Sequence, residues 1–192
     1  MTNRIIVIIG MLATLVFGCA DISVLEPGVN IVPVDKIGTA FAIDEDTWIT
    51  AVHVVDFQKH VTLATVDGDI KAAIVSVDRK KDIAVLMTSD FLVERPINIC
   101  KADLDEHVAG AGYTGSEIDN VLILETEGGF ITRLKDSDPG WPGIDLIQAF
   151  VGANPGWSGG PLINRDGCAV GMIVGGNTDY NYSHAIKITH LR

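Results

Sequence analysis

From Gly38 onward the chain runs as short β-forming stretches, each closed by glycine, aspartate or proline. That cadence constrains the fold more than any other feature. "GTAFAI" gives way to Asp44-Glu45-Asp46 and then "TWITAVHVV"; "VTLATV" gives way to Asp67-Gly68-Asp69 and then "IKAAIVSV". "DIAVLM", "HVAGAGY", "NVLILET", "GFITRL", "IDLIQAF", "PLI", "CAVGMIVGG" and "SHAIKI" follow. Strands recurring every ~8–12 residues between turn residues predict an all-β sandwich or barrel. No stretch inside this region is long enough for a substantial amphipathic helix. The segment "FLVERPINICKADLDE", with Pro96 and several charges, reads as a connector between two halves. The 192 residues, 47% of them hydrophobic, suffice for one domain or two small packed subdomains with a real core.

The first residues belong to a different class. "MTNRIIVIIGMLATLVFGCA" carries one charge, Arg4, then an apolar run from Ile5 to Phe17, then Gly18-Cys19. About 20 apolar residues are needed to span a bilayer, and this run is shorter. A charged start, a short apolar region and small residues after it describe a secretory signal. "VFGC" resembles the lipobox of bacterial lipoproteins, in which the cysteine becomes the lipidated first residue, so Cys19 is the expected lipidation site. Phe17 is bulkier than that pattern usually has. A plain cleaved signal and an uncleaved anchor are the alternatives, and export is common to the first two. Residues 20–36 contain Pro27 and Pro33 with no clear period, and read as a tether or an extended lead-in strand.

The formal net charge of −11 argues against nucleic-acid partners, because a phosphate-binding surface needs clustered Lys and Arg. The longest basic run, Arg79-Lys80-Lys81, meets Asp82 at once and reads as a solvated turn. With Cys19 assigned to lipid, Cys100 and Cys168 remain. They form either a disulfide or two separate buried thiols, and the sequence leaves both open. No Cys or His pair has zinc-ligand spacing, so no metal or organic cofactor is implied.

The stretch "NPGWSGGPLINRDG" wraps Ser158 in Gly156, Gly159 and Gly160 between Pro155 and Pro161, which neither a helix interior nor a regular strand accommodates. Ser158 is either filler in a surface turn or a nucleophile on a specially shaped loop. A serine hydroxyl attacks only when a base takes its proton, and that base is usually a histidine held by a carboxylate. Of the five histidines, His53 alone sits in an apolar strand end, "TWITAVHVVD", as a satisfied core residue or a positioned base. His60 and His190 read as surface residues, and His107 opens a strand. Asp82 opens the apolar "DIAVLM", where a carboxylate needs a hydrogen-bonded partner to stay ionised. Asp78 competes, but it lies in a charged turn. The glycines have a chemical reason: backbone N–H groups of Gly156 and Ser158, turned inward, would form an oxyanion hole. "GWSGG" also satisfies the G-x-S-x-G elbow of α/β-hydrolases, but Gly159-Gly160-Pro161 opposes the helix that elbow needs, and only 34 residues follow for Asp and His.

With His53, Asp82 and Ser158 in that order, the sequence resembles the chymotrypsin-like (trypsin-like) serine proteases, most closely the bacterial HtrA type. "GTAFAIDEDTWITAVHVV", "VDRKKDIAVLMTS", "HVAGAGY", "NPGWSGGPLINRDGCAVGM" and "HAIKI" carry the likeness over about residues 36–190. It implies two six-stranded antiparallel β-barrels with the site in the cleft between them. The barrels would occupy residues 37–95 and 96–192, after a signal at 1–19 and the lead-in at 20–36. His53 would be general base and acid, Asp82 its orienting carboxylate and Ser158 the nucleophile. Gly152, Ala153 and "MIVGG" would line the primary pocket, Ile173 standing where glutamate-specific relatives carry histidine. No Asp holds the pocket base, so a small or medium apolar P1 residue is expected rather than Lys or Arg. His184 would lie behind the pocket in a structural role. Trp157 stands where the family usually has Asn or Asp, which argues against activation by the pairing of that Asp with a new N-terminal amine seen in digestive trypsin-like enzymes. Ala40 replaces a common glycine. No PDZ domain is expected within these residues. The implied protein is a membrane-tethered serine endopeptidase acting through an acyl-enzyme on peptides or unfolded proteins. The alternative is a catalytically silent, protease-fold binding module on the cell envelope.

Overall fold

Strands form where β-branched and aromatic residues run between glycine and aspartate turns, and the computed structural model describes them across residues 21–35, 37–116, 121–135, 144–177 and 180–191. The first six are β1 (Ile31–Val34), β2 (Gly38–Ala42), β3 (Thr47–Ala51), β4 (His60–Thr65), β5 (Gly68–Asp78) and β6 (Ile83–Met87). The second six are β7 (His107–Ser116), β8 (Val121–Lys135), β9 (Leu146–Ala149), β10 (Pro161–Asn164), β11 (Ala169–Asn177) and β12 (Tyr182–Lys187). Each set closes into an antiparallel barrel, in the orders β1-β2-β3-β6-β5-β4 and β10-β11-β12-β9-β8-β7. Numbered within its own barrel, the pairing is the same: first with second, second with third, third with sixth, sixth with fifth, fifth with fourth, fourth with first. The expected all-β double barrel is the observed fold. The sole α-helical turn among the described residues is α1 (Val52–Val55).

One boundary differs from the sequence reading. The lead-in contains β1, so the first barrel begins at Ile31 rather than residue 37; Val34 pairs with Leu63 of β4 and closes the barrel. Pro33 is tolerated there opposite Thr39, although it has no N–H to donate to a ladder. The residues ahead of β1 lie along the second barrel instead of trailing free. Asp21 N–H donates to the Asn164 carbonyl, and Gly28 N–H donates to the Tyr113 hydroxyl at 3.0 Å. The signal and Cys19 lie outside the described residues.

Phe41, Trp48, Ile49, Leu63 and Leu86 fill the first barrel, and Ile131, Ile147, Leu162 and Ile173 fill the second. Trp157 joins the second core and is wholly buried. It lies against Gly110 and Gly112, alternate residues on one face of β7, where a Cβ on Gly112 would fall 2.5 Å from the Trp157 Cα. The "AGAG" run of β7 is thus a slot cleared for an indole. The two cysteines are paired: Cys100 and Cys168 form a disulfide with Cα atoms 5.5 Å apart, which ties the inter-barrel connector to the turn after β10.

Gly112→Ala should destabilise the fold by about 1–3 kcal/mol, because the atom that must yield is backbone. Thermal melting should show it as a fall of about 2–4 °C per kcal/mol. Replacing both Cys100 and Cys168 with Ser reopens a 68-residue separation. Loop-closure entropy puts the loss on the order of 4 kcal/mol, to be read from the denaturant midpoint.

Candidate active site

Strands β3 and β6 are antiparallel neighbours, with Ala51 opposite Ile83. Their ends therefore bring the residues just after Ala51 beside the residue just before Ile83. The first become α1, carrying His53; the second is Asp82. Topology alone puts the imidazole and the carboxylate together. Asp82 Oδ2 lies 2.6 Å from His53 Nδ1, and Asp82 Oδ1 accepts the His53 backbone N–H at 3.0 Å. The Asp82 carbonyl also accepts Val52 N–H. Both oxygens of one buried carboxylate thus hold one histidine, by ring and by main chain. Asp82 has φ +55, a left-handed conformation that Asp tolerates better than most residues and that concentrates at functional sites. The hydrogen bond that the ring donates to Asp82, with the carboxylate's charge, raises the His53 pKa above the ordinary 6.5, and partial burial opposes it. The imidazole is about half exposed, so its other nitrogen has access to a reactant.

Asp78 has a different task. Its Oδ1 accepts the N–H groups of Lys80 and Lys81 and shapes the β5–β6 turn.

Ser158 arrives from the second barrel, just before β10. Its carbonyl accepts the Thr39 N–H at 2.9 Å. A Cβ on Gly38 would lie 2.6 Å from the Val54 methyls and 3.2 Å from the Ser158 carbonyl oxygen, so this glycine separates the His53 turn from the serine by a single layer of backbone. The loop holds its shape through internal bonds: Trp157 N–H to Asn154 carbonyl, Gly160 N–H to Trp157 carbonyl, Gly159 N–H to Ile173 carbonyl. Gly156 has φ +99, and its Cβ would collide with the Tyr113 carbonyl. Glycine is required there on both counts. Among the described residues, the N–H groups of Gly156 and Ser158 donate to no backbone acceptor. Two backbone donors left without a backbone acceptor beside a serine are what stabilisation of a developing oxyanion needs.

Of the expected pocket residues, Ala153 is half-buried, and its methyl approaches Gly176, where a Cβ would lie 2.8 Å away. Ile173 is wholly buried, its side chain near Gly110 in the second core, and it braces the loop by backbone: Gly159 donates to its carbonyl and its own N–H donates to Gly160. His184 is half-buried on β12 with its ring 5.2 Å from that of Tyr182. His60 and His190 are exposed, and His107 opens β7.

Three features escaped the sequence reading. Glu125 and Glu127, alternate residues of β8, accept the side-chain amides of Asn154 and Asn181 at 2.8 Å and fasten the approach to the serine loop. The E-x-E alternation was a signal, but nothing local named its partners. Thr39 bonds across the barrels to the same loop. Tyr113, buried on β7, has its phenol pKa pushed up to about 12 by burial, against the Gly28 hydrogen bond; it stays neutral and donates to the Ile31 carbonyl at 3.3 Å. A groove of about 470 Å³ lined by His60, Asp69, Lys71 and Phe91 shares no residue with this constellation. Among the described residues, no cluster of three His, Cys, Asp or Glu could hold a metal ion.

Known proteins resemble this chain in sequence and in fold. A family model described as trypsin-like peptidase domain matches residues 38–172. A probable periplasmic serine endoprotease, DegP-like, from Halomonas elongata is 30% identical over 71% of this chain and 29% of its own length. Serine protease Do-like HtrA from Bacillus subtilis is 32% identical over 65% of this chain and 29% of its own. The chain thus spans under a third of the length of these curated relatives. Among solved structures, the Rv3671c protease in its inactive form superposes with a TM-score of 0.70 at 24% identity, covering 85% of this chain and 86% of that one. The HtrA-type protease AlgW gives 0.66 at 22%, over 81% of this chain and 49% of that one. These two likenesses are of fold. The family match covers most of the chain and includes His53, Asp82 and Ser158, and the chain belongs to the trypsin-like peptidase family, with HtrA- and DegP-type serine proteases among its relatives.

Proposed function

We propose that the chain is a serine endopeptidase that cleaves peptides or unfolded proteins through an acyl-enzyme. The observation that carries this is the Asp82 carboxylate, bound to both the ring and the backbone of His53 on the turn that faces the Ser158 loop. Asp82 keeps the proton on Nδ1, so the exposed ring nitrogen is the base. Ser158 Oγ attacks the scissile carbonyl as His53 takes its proton, and the new C–O bond puts negative charge on the carbonyl oxygen. The Gly156 and Ser158 N–H groups stabilise that oxyanion. Its collapse breaks the C–N bond, and His53 returns the proton to the leaving amine. Water, activated by the same imidazole, then hydrolyses the ester. The close approach of Ala153 and Gly176 supports a small or medium apolar P1 residue.

The N-terminal signal and Cys19 support export and tethering to a membrane by lipid, and the printed description of the Halomonas relative as periplasmic supports export. The lead-in from Asp21 docks on the second barrel, so the tether would hold the enzyme near the bilayer. Trp157, which departs from the family pattern beside Ser158, is the residue to weigh for a silent binding module. Its indole is packed into the second core and leaves the loop donors clear, which favours the catalytic reading.

A fluorophosphonate probe should label the full-length protein, and Ser158→Ala should abolish labelling without changing the melting temperature. Labelling that survives in Ser158→Ala, or its absence from well-folded wild type, would sink this proposal. The labelling rate should rise with pH through a pKa above the ordinary 6.5 of histidine, because neutral His53 is the reactive form. Asp82→Asn removes both causes that raise this pKa. The pH limb should move down, and the plateau rate should fall by about 10³–10⁴-fold. The same raised pKa has a stability counterpart: the protonated His53–Asp82 pair adds stability below pH 6.5 that is lost as pH rises through the folded-state value.

A further inference from the structure

Thr39 lies on β2 with no solvent exposure, and all of its polar atoms are used. Beyond the Phe41–Ile49 pair, β2 and β3 part company. The Thr39 N–H goes instead to the Ser158 carbonyl at 2.9 Å, and its carbonyl accepts the Thr50 hydroxyl at 2.7 Å. Its hydroxyl is engaged twice across the barrels. Oγ1 accepts the Tyr113 N–H at 2.9 Å and donates its own proton to the Gly156 carbonyl at 2.8 Å.

The second of these bonds holds the one carbonyl of residues 156–158 that no backbone N–H of the described residues reaches. The Trp157 carbonyl is held by Gly160 N–H and the Ser158 carbonyl by Thr39 N–H. The peptide between Gly156 and Trp157 has its N–H on Asn154 within the loop, and its carbonyl is held from outside by the Thr39 hydroxyl. Gly156, with φ +99 and no Cβ, offers little intrinsic resistance to rotation of that peptide. Gly156 carries its N–H on one side of its Cα and this carbonyl on the other, so releasing the carbonyl lets Gly156 change φ and ψ and re-aim its N–H relative to the Ser158 N–H.

We propose that Thr39 is a positioning residue: its hydroxyl, oriented by the Tyr113 N–H, holds the Gly156 carbonyl and so keeps the Gly156 N–H aimed at the oxyanion. The inference rests on Ser158 being the nucleophile. It assigns to a first-barrel strand the shape of a second-barrel loop. Tyr113 supplies the template from both ends, since its N–H sets the hydroxyl and its carbonyl backs the Gly156 Cα.

The test uses full-length protein with Thr39→Val, which keeps the shape and removes the hydroxyl, and Thr39→Ser, which keeps the hydroxyl. Thr39→Val should lower the fluorophosphonate labelling rate by about 10–100-fold, the loss expected when a donor is misaimed rather than deleted. The pH midpoint should not move, because His53 and Asp82 are untouched. Hydrogen exchange of residues 154–160 should accelerate, and Thr39→Ser should stay within about threefold of wild type, as the hydroxyl survives. Wild-type labelling in Thr39→Val, an equal loss in Thr39→Ser, or a displaced pH midpoint would each overturn the proposal. If Thr39→Val does not fold, Thr39→Ser against Thr39→Ala makes the same comparison. If wild type itself does not label, the nucleophile reading falls, and exchange decides separately: unchanged protection of residues 154–160 on losing the hydroxyl overturns the role of Thr39.

Discussion

At Gly159 the seam between the barrels is a main-chain fit that leaves no room for a side chain. Gly159, at φ +87, has its α-carbon against the Thr39 carbonyl, the Thr50 hydroxyl and the Ala51 N–H, and a Cβ would collide with the first two. The serine loop of the second barrel enters the gap where β2 and β3 diverge, and Thr39 N–H donates to the Ser158 carbonyl there. Because β3 runs directly from this gap into α1, the position of Ser158 relative to His53 is set by backbone contacts rather than by long side chains. Backbone contacts of this kind leave few alternative arrangements, which suits a reaction that depends on sub-ångström placement.

Division of the site between barrels follows from the shared strand order. In the first barrel the third and sixth strands are neighbours, so the ends of β3 and β6 bring His53 and Asp82 together. In the second barrel the fourth strand, β10, pairs with the first, β7, at Leu162 and Gly110. The loop that leads into β10 therefore lies over the glycines of β7, and Trp157 sinks between them. One barrel supplies the pair we assign to proton transfer, and the other supplies the proposed nucleophile with its donors. Neither barrel contains the complete set.

Electrostatics at the site are local despite the net charge of −11. The one carboxylate that matters to His53 is buried and doubly hydrogen-bonded. Glu125 and Glu127 are matched to asparagine amides, so their hydrogen-bonding capacity goes into fastening the loop. Tyr113 is neutral throughout the physiological range and works as a plain hydrogen-bonding post between the lead-in and β7.

The sequence by itself determined the strand cadence, the loop that needs glycine at 156 and 159, and the residue types for proton transfer. These are local properties: turn dihedrals, strand periodicity and the chemistry of one side chain can all be read within a few residues. Asp82 was separable from Asp78 because an acidic residue at the mouth of an apolar strand must find a partner, while one in a charged turn need not. What only the tertiary structure decided are the pairings between distant segments. Cys100 with Cys168, Tyr113 with Gly28, Glu127 with Asn181 and the Thr39 hydroxyl with Gly156 each join residues 54–117 positions apart. No local pattern encodes such a partner, since a buried threonine on an apolar strand reads the same whether its hydroxyl meets a neighbouring carbonyl or a loop from another barrel. Closure of the two barrels brings these groups to hydrogen-bonding distance, and the direction of each bond follows from which polar group burial would otherwise leave unpaired.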